Sequence, residues 1–349
     1  MRTKFIAFTA GLLLLANSFA FAGDLRSSRT VTRQSARLVS MLPASDAIIT
    51  FDAKQFLGSA LPKVLASNPT MLAEVQTKLV EAEARTGIDL RKFDQVAVGI
   101  SYRKGAKGET DYEPVVIANG DINAAALISV AKLSTKGTYR TETISGRTVY
   151  IFSASDVLQK NAPVRTNNSK IAGWVDDVVD SITKDVAVTA YDKGTLVMGP
   201  LERVKETLDA RSNVGADLKG LLPTAPHVAS FAARLPNGLG QLLPLDSDDL
   251  GMSLESIEYV WGSFDVNVVG AELLVNARTK RASDAQNLKD TIEGLRILGN
   301  IALGGSKSPD KQVYTRMVKN AKIDSRGNEL VFSLTVPQAD IDTLISGIK

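Results

Sequence analysis

Residues able to do chemistry are sparse in this sequence. It has no cysteine, which excludes disulfides, thiolate metal sites, a cysteine nucleophile and a lipid anchor on cysteine. Its one histidine, His227, follows Pro226 at the start of an expected strand. A lone histidine cannot build a histidine-rich metal site. Only histidine's general ability to titrate near neutrality argues for a base or ligand, so a structural role is expected. Ser181-Ile182-Thr183-Lys184 fits S-x-x-K, in which a lysine one helical turn away activates a serine nucleophile. The companion S-D-N and K-T-G elements are missing, and a cation at a helix end suits the helix dipole. Ser181 and Lys184 are therefore expected to close a helix. Asp246-Ser247-Asp248-Asp249 offers hard oxygen ligands, but it lacks the glycine and distal glutamate of an EF-hand and reads as a solvated loop.

Asp176, Asp177 and Asp180 form the polar side of an amphipathic helix around Trp174, Val175 and Val178. Arg103-Lys104-Gly105-Ala106-Lys107 is a basic cluster, and Glu109 and Asp111 offset it. A solvated hairpin tip is expected there rather than an anion site. Trp174 and Trp261 could line a groove, but both sit in patterns that predict burial. No dinucleotide fingerprint, phosphate loop, H-E-x-x-H or G-x-S-x-G occurs. The expectation is a chain with no catalytic, cofactor-binding or metal-binding residues and no cofactor.

The chain opens with a sorting signal. Arg2 and Lys4 form a charged n-region, Phe5 to Ala16 is an apolar core, and Ala20-Phe21-Ala22 matches a small-x-small cleavage pattern. The apolar run is short for a membrane span, which needs about 20 residues. Cleavage after Ala22 removes two positive charges and takes the formal balance from +3 to +1. The near-neutral remainder gives no overall electrostatic argument for nucleic acid or an anionic surface. No later apolar run approaches a span. The expected location is the periplasm or the exterior.

The elements that must position any site centre on Asp185 to Ala210, which reads strand, turn, strand, helix. Val186, Val188 and Ala190 alternate with polar or small neighbours. Asp192-Lys193-Gly194 supplies turn chemistry, Leu196 to Met198 resumes the sheet, and Gly199-Pro200 ends it and opens a helix. Leu201, Val204 and Leu208 share one helical face, with Glu202, Arg203, Lys205 and Glu206 away from it. Similar ββα-like units are read at 114–132, at 272 onward with a helix from Asp284, and at 329–345, the last preceded by a comparable turn at 324–328. Asn68-Pro69 is a strong helix start and Gly87 a matching stop, with Leu72, Val75, Leu79 and Ala82 facing inward.

Other strands are expected at 47–51, 93–100, 227–235, 256–267 and 270–279. A hairpin at 138–143 and 147–152 turns through Ser145-Gly146. Helices are expected at 55–66 and 171–182. Leu288, Ile292, Leu295 and Leu298 share one face of the helix from Asp284. A loop is expected at 304–309 and a final hairpin at 313–323 and 329–336. Strands that connect as hairpins, with helices after pairs of strands, predict an α+β fold with antiparallel, curved sheets, helices packed on one face and a twofold internal duplication of ββα-like units. The expected organisation is a signal peptide at 1–22, a flexible lead-in at 23–40, a first half at 41–210, a linker at 211–226 and a second half at 227–349.

Leu42-Pro43-Ala44-Ser45-Asp46-Ala47 and Thr86-Gly87-Ile88-Asp89-Leu90-Arg91-Lys92-Phe93-Asp94 resemble segments of uncharacterised exported bacterial proteins, including acidobacterial ones. The resemblance covers mainly the first third and carries no catalytic residues; it implies export and a non-enzymatic role. Three readings follow, in order: a non-enzymatic envelope binding or scaffold module, a carrier holding an apolar ligand between sheet and helices, and a hydrolase using a Ser181–Lys184 dyad. The expected partner is a protein or an apolar small molecule, with no nucleic acid.

Overall fold

Antiparallel hairpins organise the architecture, with helices between them. A computed structural model describes residues 25–104, 110–134, 138–153, 185–209, 213–235, 254–267, 269–305 and 308–346. Helix α1 (Leu25–Met41) leads into strand β1 (Ala47–Asp52). Then come α2 (Ala53–Gln55), a π-helical turn Phe56–Ala60, α3 (Leu61–Val64) and α4 (Pro69–Thr86). Strands β2 (Phe93–Lys104) and β3 (Thr110–Gly120) precede α5 (Ala124–Ser134). Two hairpins follow, β4 (Arg140–Ile144) with β5 (Arg147–Phe152), and β6 (Val186–Asp192) with β7 (Thr195–Pro200). Next are α6 (Leu201–Asp209), α7 (Ala216–Leu221), β8 (Ala229–Arg234), β9 (Ile257–Val266) and β10 (Gly270–Thr279). The chain closes with α8 (Ala282–Leu303), α9 (Pro309–Asn320), β11 (Lys322–Arg326), β12 (Glu329–Pro337) and α10 (Gln338–Ser346).

The chain divides into two compact units. The amino-terminal unit comprises Thr30–Lys54 and Gln76–Ala216; the carboxy-terminal unit comprises Met1–Arg29, Gln55–Val75 and Asp217–Lys349. In the amino-terminal unit the strand order is β1-β2-β3-β7-β6-β5-β4, antiparallel throughout. In the carboxy-terminal unit it is β11-β12-β10-β9-β8, again antiparallel. The class is α+β. The two orders correspond: an opening strand pairs with a long hairpin, whose second strand pairs with the last strand of a later hairpin. The amino-terminal unit adds β5 and β4 beyond that shared pattern.

Packing follows the pleat. In the amino-terminal unit Ile122, Ala124 and Ile128 pack with Phe152, Val188 and Leu196. Leu196 and its neighbour Val197 are both buried; since adjacent residues point to opposite faces, both faces of β7 are covered there. In the carboxy-terminal unit Leu288 of α8 packs with Ala277, Ile323 and Leu330 of β10, β11 and β12. Two glycine-dependent points fix the sheet. Ser145 and Gly146 have φ of 48° and 75°, which the tight turn between β4 and β5 demands. At Gly120 a Cβ would lie 2.1 Å from the Lys92 carbonyl, so only glycine allows β2 and β3 to close there.

Apart from the strand expected at 313–323, the expected strands, the start of α4 and its end at Gly87 are present. Asn68 Oδ1 accepts from the Met71 amide at 3.0 Å, and Gly87 has φ 64°. Leu72, Val75, Leu79 and Ala82 are the shielded face of α4, but all four are half-buried.

Several expectations are corrected. Much of 23–40 is helical rather than flexible, with Leu38 and Val39 buried. Near its end two polar side chains make tertiary contacts, Gln34 donating to Asn119 and Ser35 to Gln95. Residues 211–226 hold α7, whose Leu218 is fully buried, and the boundary between units falls inside that stretch. Residues 309–320 are helix, not strand: Ser308-Pro309 opens it, and Val313 with Met317 and Val318 keeps helical spacing. Arg203, placed on the outer face of α6 by its charge, is 1% exposed. The expected helix at 171–182 lies outside the described residues.

Candidate functional site

Of the residues singled out by type and spacing, Ser181 and Lys184, the Asp176–Asp180 group with Trp174, and Asp246 to Asp249 lie outside the described residues. His227 is half-buried. Its Nδ1 lies 2.9 Å from Asp265 Oδ2, and Asp265 Oδ1 accepts from the Val266 amide at 3.0 Å. The pair ties the entry of β8 to the end of β9. Among the described residues no group of three His, Asp or Glu side chains could hold a metal ion.

Arg103 belongs to a charge chain whose far end is buried. The guanidinium of Arg203 in α6 donates from Nη2 to Ser45 Oγ at 2.9 Å and from Nη1 to Glu206. Glu206 also takes Arg103 Nη2 at 2.8 Å, and Arg103 Nε pairs with Glu113 at 2.8 Å. Ser45 Oγ itself donates to the Pro43 carbonyl at 2.8 Å. Burial lowers the Arg203 pKa, and Glu206 works in the opposite direction. Two arginines here face two glutamates; Lys107, from the same expected hairpin tip, lies outside the described residues. Beside them Tyr102 and Tyr112 meet edge to face, 5.4 Å between centroids. Burial pushes the Tyr112 hydroxyl up to about 12 and that of Tyr102 higher still, helped by Tyr112 and Asp46. This network is structural: every charge in it answers another.

A second constellation runs across the carboxy-terminal sheet, on the face opposite the Leu288 cluster. Register places Arg234 beside Tyr259, Tyr259 beside Arg278 and Arg278 beside Glu329. Asp217 accepts from Arg234 Nη2 at 2.6 Å and from the Tyr259 hydroxyl at 3.1 Å. The hydrogen bond from Arg234 holds the Asp217 carboxyl below its ordinary range against a smaller opposing effect of burial. Arg278 pairs with Glu329 at 2.8 Å and stacks 5.3 Å from the Trp261 ring. Trp261 is thus half-buried under a guanidinium instead of lying in the core as its pattern predicted. Cross-strand pairs of this kind stabilise a sheet by themselves.

The remaining feature is apolar. The first half of α8 buries Asp284, Ala285 and Leu288. Beyond Gly294 the same helix leaves Leu295 48%, Ile297 57%, Leu298 63% and Ile301 73% exposed. Leu295, Leu298 and Ala302 follow helical spacing, and Ile301 extends the stripe. Helix α9 packs alongside: a Cβ at Gly299 would meet Val318 at 3.7 Å. Tyr314, one turn before Val318, is exposed. Helix α9 is fastened to α10 by Arg316, which donates twice to Asp340, at 2.8 and 2.6 Å. The firm backing and the bare apolar face together describe a surface suited to docking. Periodicity places Leu295 and Leu298 on one face with Leu288; along that face the structure buries Leu288 and leaves the other two exposed.

No family model matches the sequence, and neither does any curated protein. Among solved structures, crystal form III of TP0453 aligns with a TM-score of 0.44 at 9% identity, covering 88% of this chain and 97% of that one. Crystal form I of TP0453 gives 0.38 at 10% identity over 89% and 96%. Crystal form IV gives 0.41 at 9% identity over 90% and 97%. At this level of likeness nothing about function carries over. No helix among the described residues is long and apolar enough to cross a membrane.

Proposed function

We infer that this chain is an exported, non-enzymatic binding or scaffold module of the cell envelope, which docks through the far half of α8. The observation that carries the reading is the cluster Leu295, Ile297, Leu298 and Ile301, all exposed on one well-backed helix. A folded domain gains nothing from four large aliphatic side chains in water, and such patches mark interaction sites. Export is supported by the charged n-region, apolar core and Ala20-Phe21-Ala22 of the leader. The matching strand orders of the two units support an internal duplication, a route by which a scaffold acquires two similar sheets.

The test is fractionation of the cells that make the protein. The wild-type mature chain is expected in the periplasmic or secreted compartment, partly retained on the envelope fraction. L298S/I301S is expected to be released from it without loss of fold, because neither side chain is buried. Cytoplasmic recovery of a chain that keeps its leader overturns the export reading. Retention unchanged in the double variant overturns the docking face.

A further inference from the structure

We propose that the surface on which α8 docks is an anionic lipid bilayer, met from one side and not spanned. The proposal rests on the docking reading above and adds the identity of the partner. Its first support is local charge. Residues 294–320 contain Arg296, Lys307, Lys311, Arg316 and Lys319 against a single acid, Asp310, a local balance of +4 inside a chain whose total is +3 with its leader. Arg296 is paired with Glu293, and Arg316 with Asp340. That leaves Lys307, Lys311 and Lys319 against Asp310, an excess of +2, with Lys311 and Lys319 exposed on α9.

Charge also decides between occupants. A second copy of the chain, related by a twofold axis, would set this basic rim against itself, since such interfaces are self-complementary. An anionic surface is attracted by the same rim. Residue type separates lipid from a protein partner. Protein interfaces concentrate Trp, Tyr and Arg and avoid Lys at their centres. This face has leucine and isoleucine at its centre, and the adjoining helix α9 carries exposed Lys311, Lys319 and Tyr314. That is the composition of helices that lie in the lipid interface, apolar side chains sunk among the acyl chains and lysines at the headgroups. Glycine supplies the adjoining turn at Gly304 and Gly305, so no bulky polar side chain follows Leu303 immediately at the end of the helix.

The experiment is co-sedimentation of the mature chain with vesicles of phosphatidylcholine plus phosphatidylglycerol, and with vesicles of phosphatidylcholine alone. Binding is expected to the mixed vesicles, to weaken as salt is raised, and to be slight on the neutral ones. L298S/I301S is expected to lower the partition coefficient by at least about tenfold through lost apolar burial. K311E/K319E is expected to lower it by a similar factor or more through lost attraction. Circular dichroism checks that both variants keep their fold. Wild-type protein that stays in the supernatant with mixed vesicles overturns the lipid assignment, as do variants that sediment like the wild type. If the envelope fraction still retains the chain through Leu298 and Ile301 while vesicles do not, the docking face stands and its partner is a protein. If neither retains it, both readings fall.

Discussion

Arg203 is where charge and packing make opposite predictions, so its substitution discriminates between them. If the buried ion pair holds α6 in place, removing the guanidinium strands a carboxylate, which costs about 3–5 kcal/mol. The geometry argues otherwise. Glu206 keeps Arg103 at 2.8 Å, and Ser45 keeps its bond to the Pro43 carbonyl, so neither partner is orphaned. What Arg203 alone contributes is its buried aliphatic stem, with only 1% of the residue exposed. Arg203→Ala removes two methylenes beyond Cβ, about 1.6 kcal/mol of transfer free energy, plus a cavity term that brings the loss to about 2–4 kcal/mol. Arg203→Met keeps an unbranched apolar side chain and discards a desolvated charge, so its cost is expected to stay below about 1.5 kcal/mol. The assay is urea denaturation followed by far-UV circular dichroism, with m compared between variants because two units can unfold separately. Equal losses for the two variants, each above about 3 kcal/mol, would falsify the packing argument and restore the ion pair.

Gly120→Ala is expected to destabilise by about 3 kcal/mol or more, since the new Cβ falls 2.1 Å from the Lys92 carbonyl and 2.8 Å from the Asp94 amide nitrogen. Gly294→Ala, with nothing within 4 Å in a helix interior, is expected to stabilise by about 0.5–1 kcal/mol; thermal melts of the two check both signs. In a spectrophotometric titration of the seven tyrosines, Tyr112 is expected to lag to about pH 12 and Tyr102 beyond it. Their folded pKa values are raised, so the stability they hold is full below about pH 10 and is lost as pH rises towards the folded values; Y112F should remove one lagging step. Asp217 has the opposite sign. Its folded pKa is lowered, so its contribution is full above about pH 4 and lost as pH falls through the folded value. Because the pair with Arg234 is largely exposed, that contribution is under about 1 kcal/mol. Asp217→Asn should cost that little at pH 7 and nothing in strong acid; a deficit that persists in acid would rule out the linkage.

The strands were legible because their signals are local. Val186, Val188 and Ala190 alternate, Ser145-Gly146 turns a hairpin, and Asn68 caps a helix; each rests on a few neighbours in the chain. What failed depended on distant partners. The polar run ahead of Met41 looked too hydrophilic to order, but Gln34, Ser35 and Arg37 each find a partner from another part of the amino-terminal unit, at Asn119, Gln95 and Asp192. Arg203 looked like a surface residue because its burial depends on Ser45, 158 residues earlier. At 313–320 the apolar residues Val313, Met317 and Val318 are too few to separate helix from strand, and the deciding signal, Ser308-Pro309 as a helix start, lies before the segment.

The candidate site was hidden by a different cause. Leu288, Ile292, Leu295 and Leu298 do share a side of one helix, and periodicity alone cannot say how far the supporting sheet extends beneath it. Helix α8 has 22 residues, a length of about 33 Å. The edge strand β11, which backs Leu288 through Ile323, has five residues, about 17 Å. A strand of that length backs roughly half of such a helix. Leu288 lies within its reach, Ile292 is half-buried, and Leu295 and Leu298 are exposed. A chain that needed α8 only for its core could end the helix near Ile292 or continue it with charged residues. This one continues for another eleven residues with two charges, Glu293 and Arg296, which pair with each other, and pins α9 beside it through Arg316 and Asp340. The extension supports α9 on one side through Gly299 and Val318, but exposed Leu295, Ile297, Leu298 and Ile301 have no folding role that packing reveals. Its cost in exposed surface is intelligible if the far half of α8 is kept for a partner.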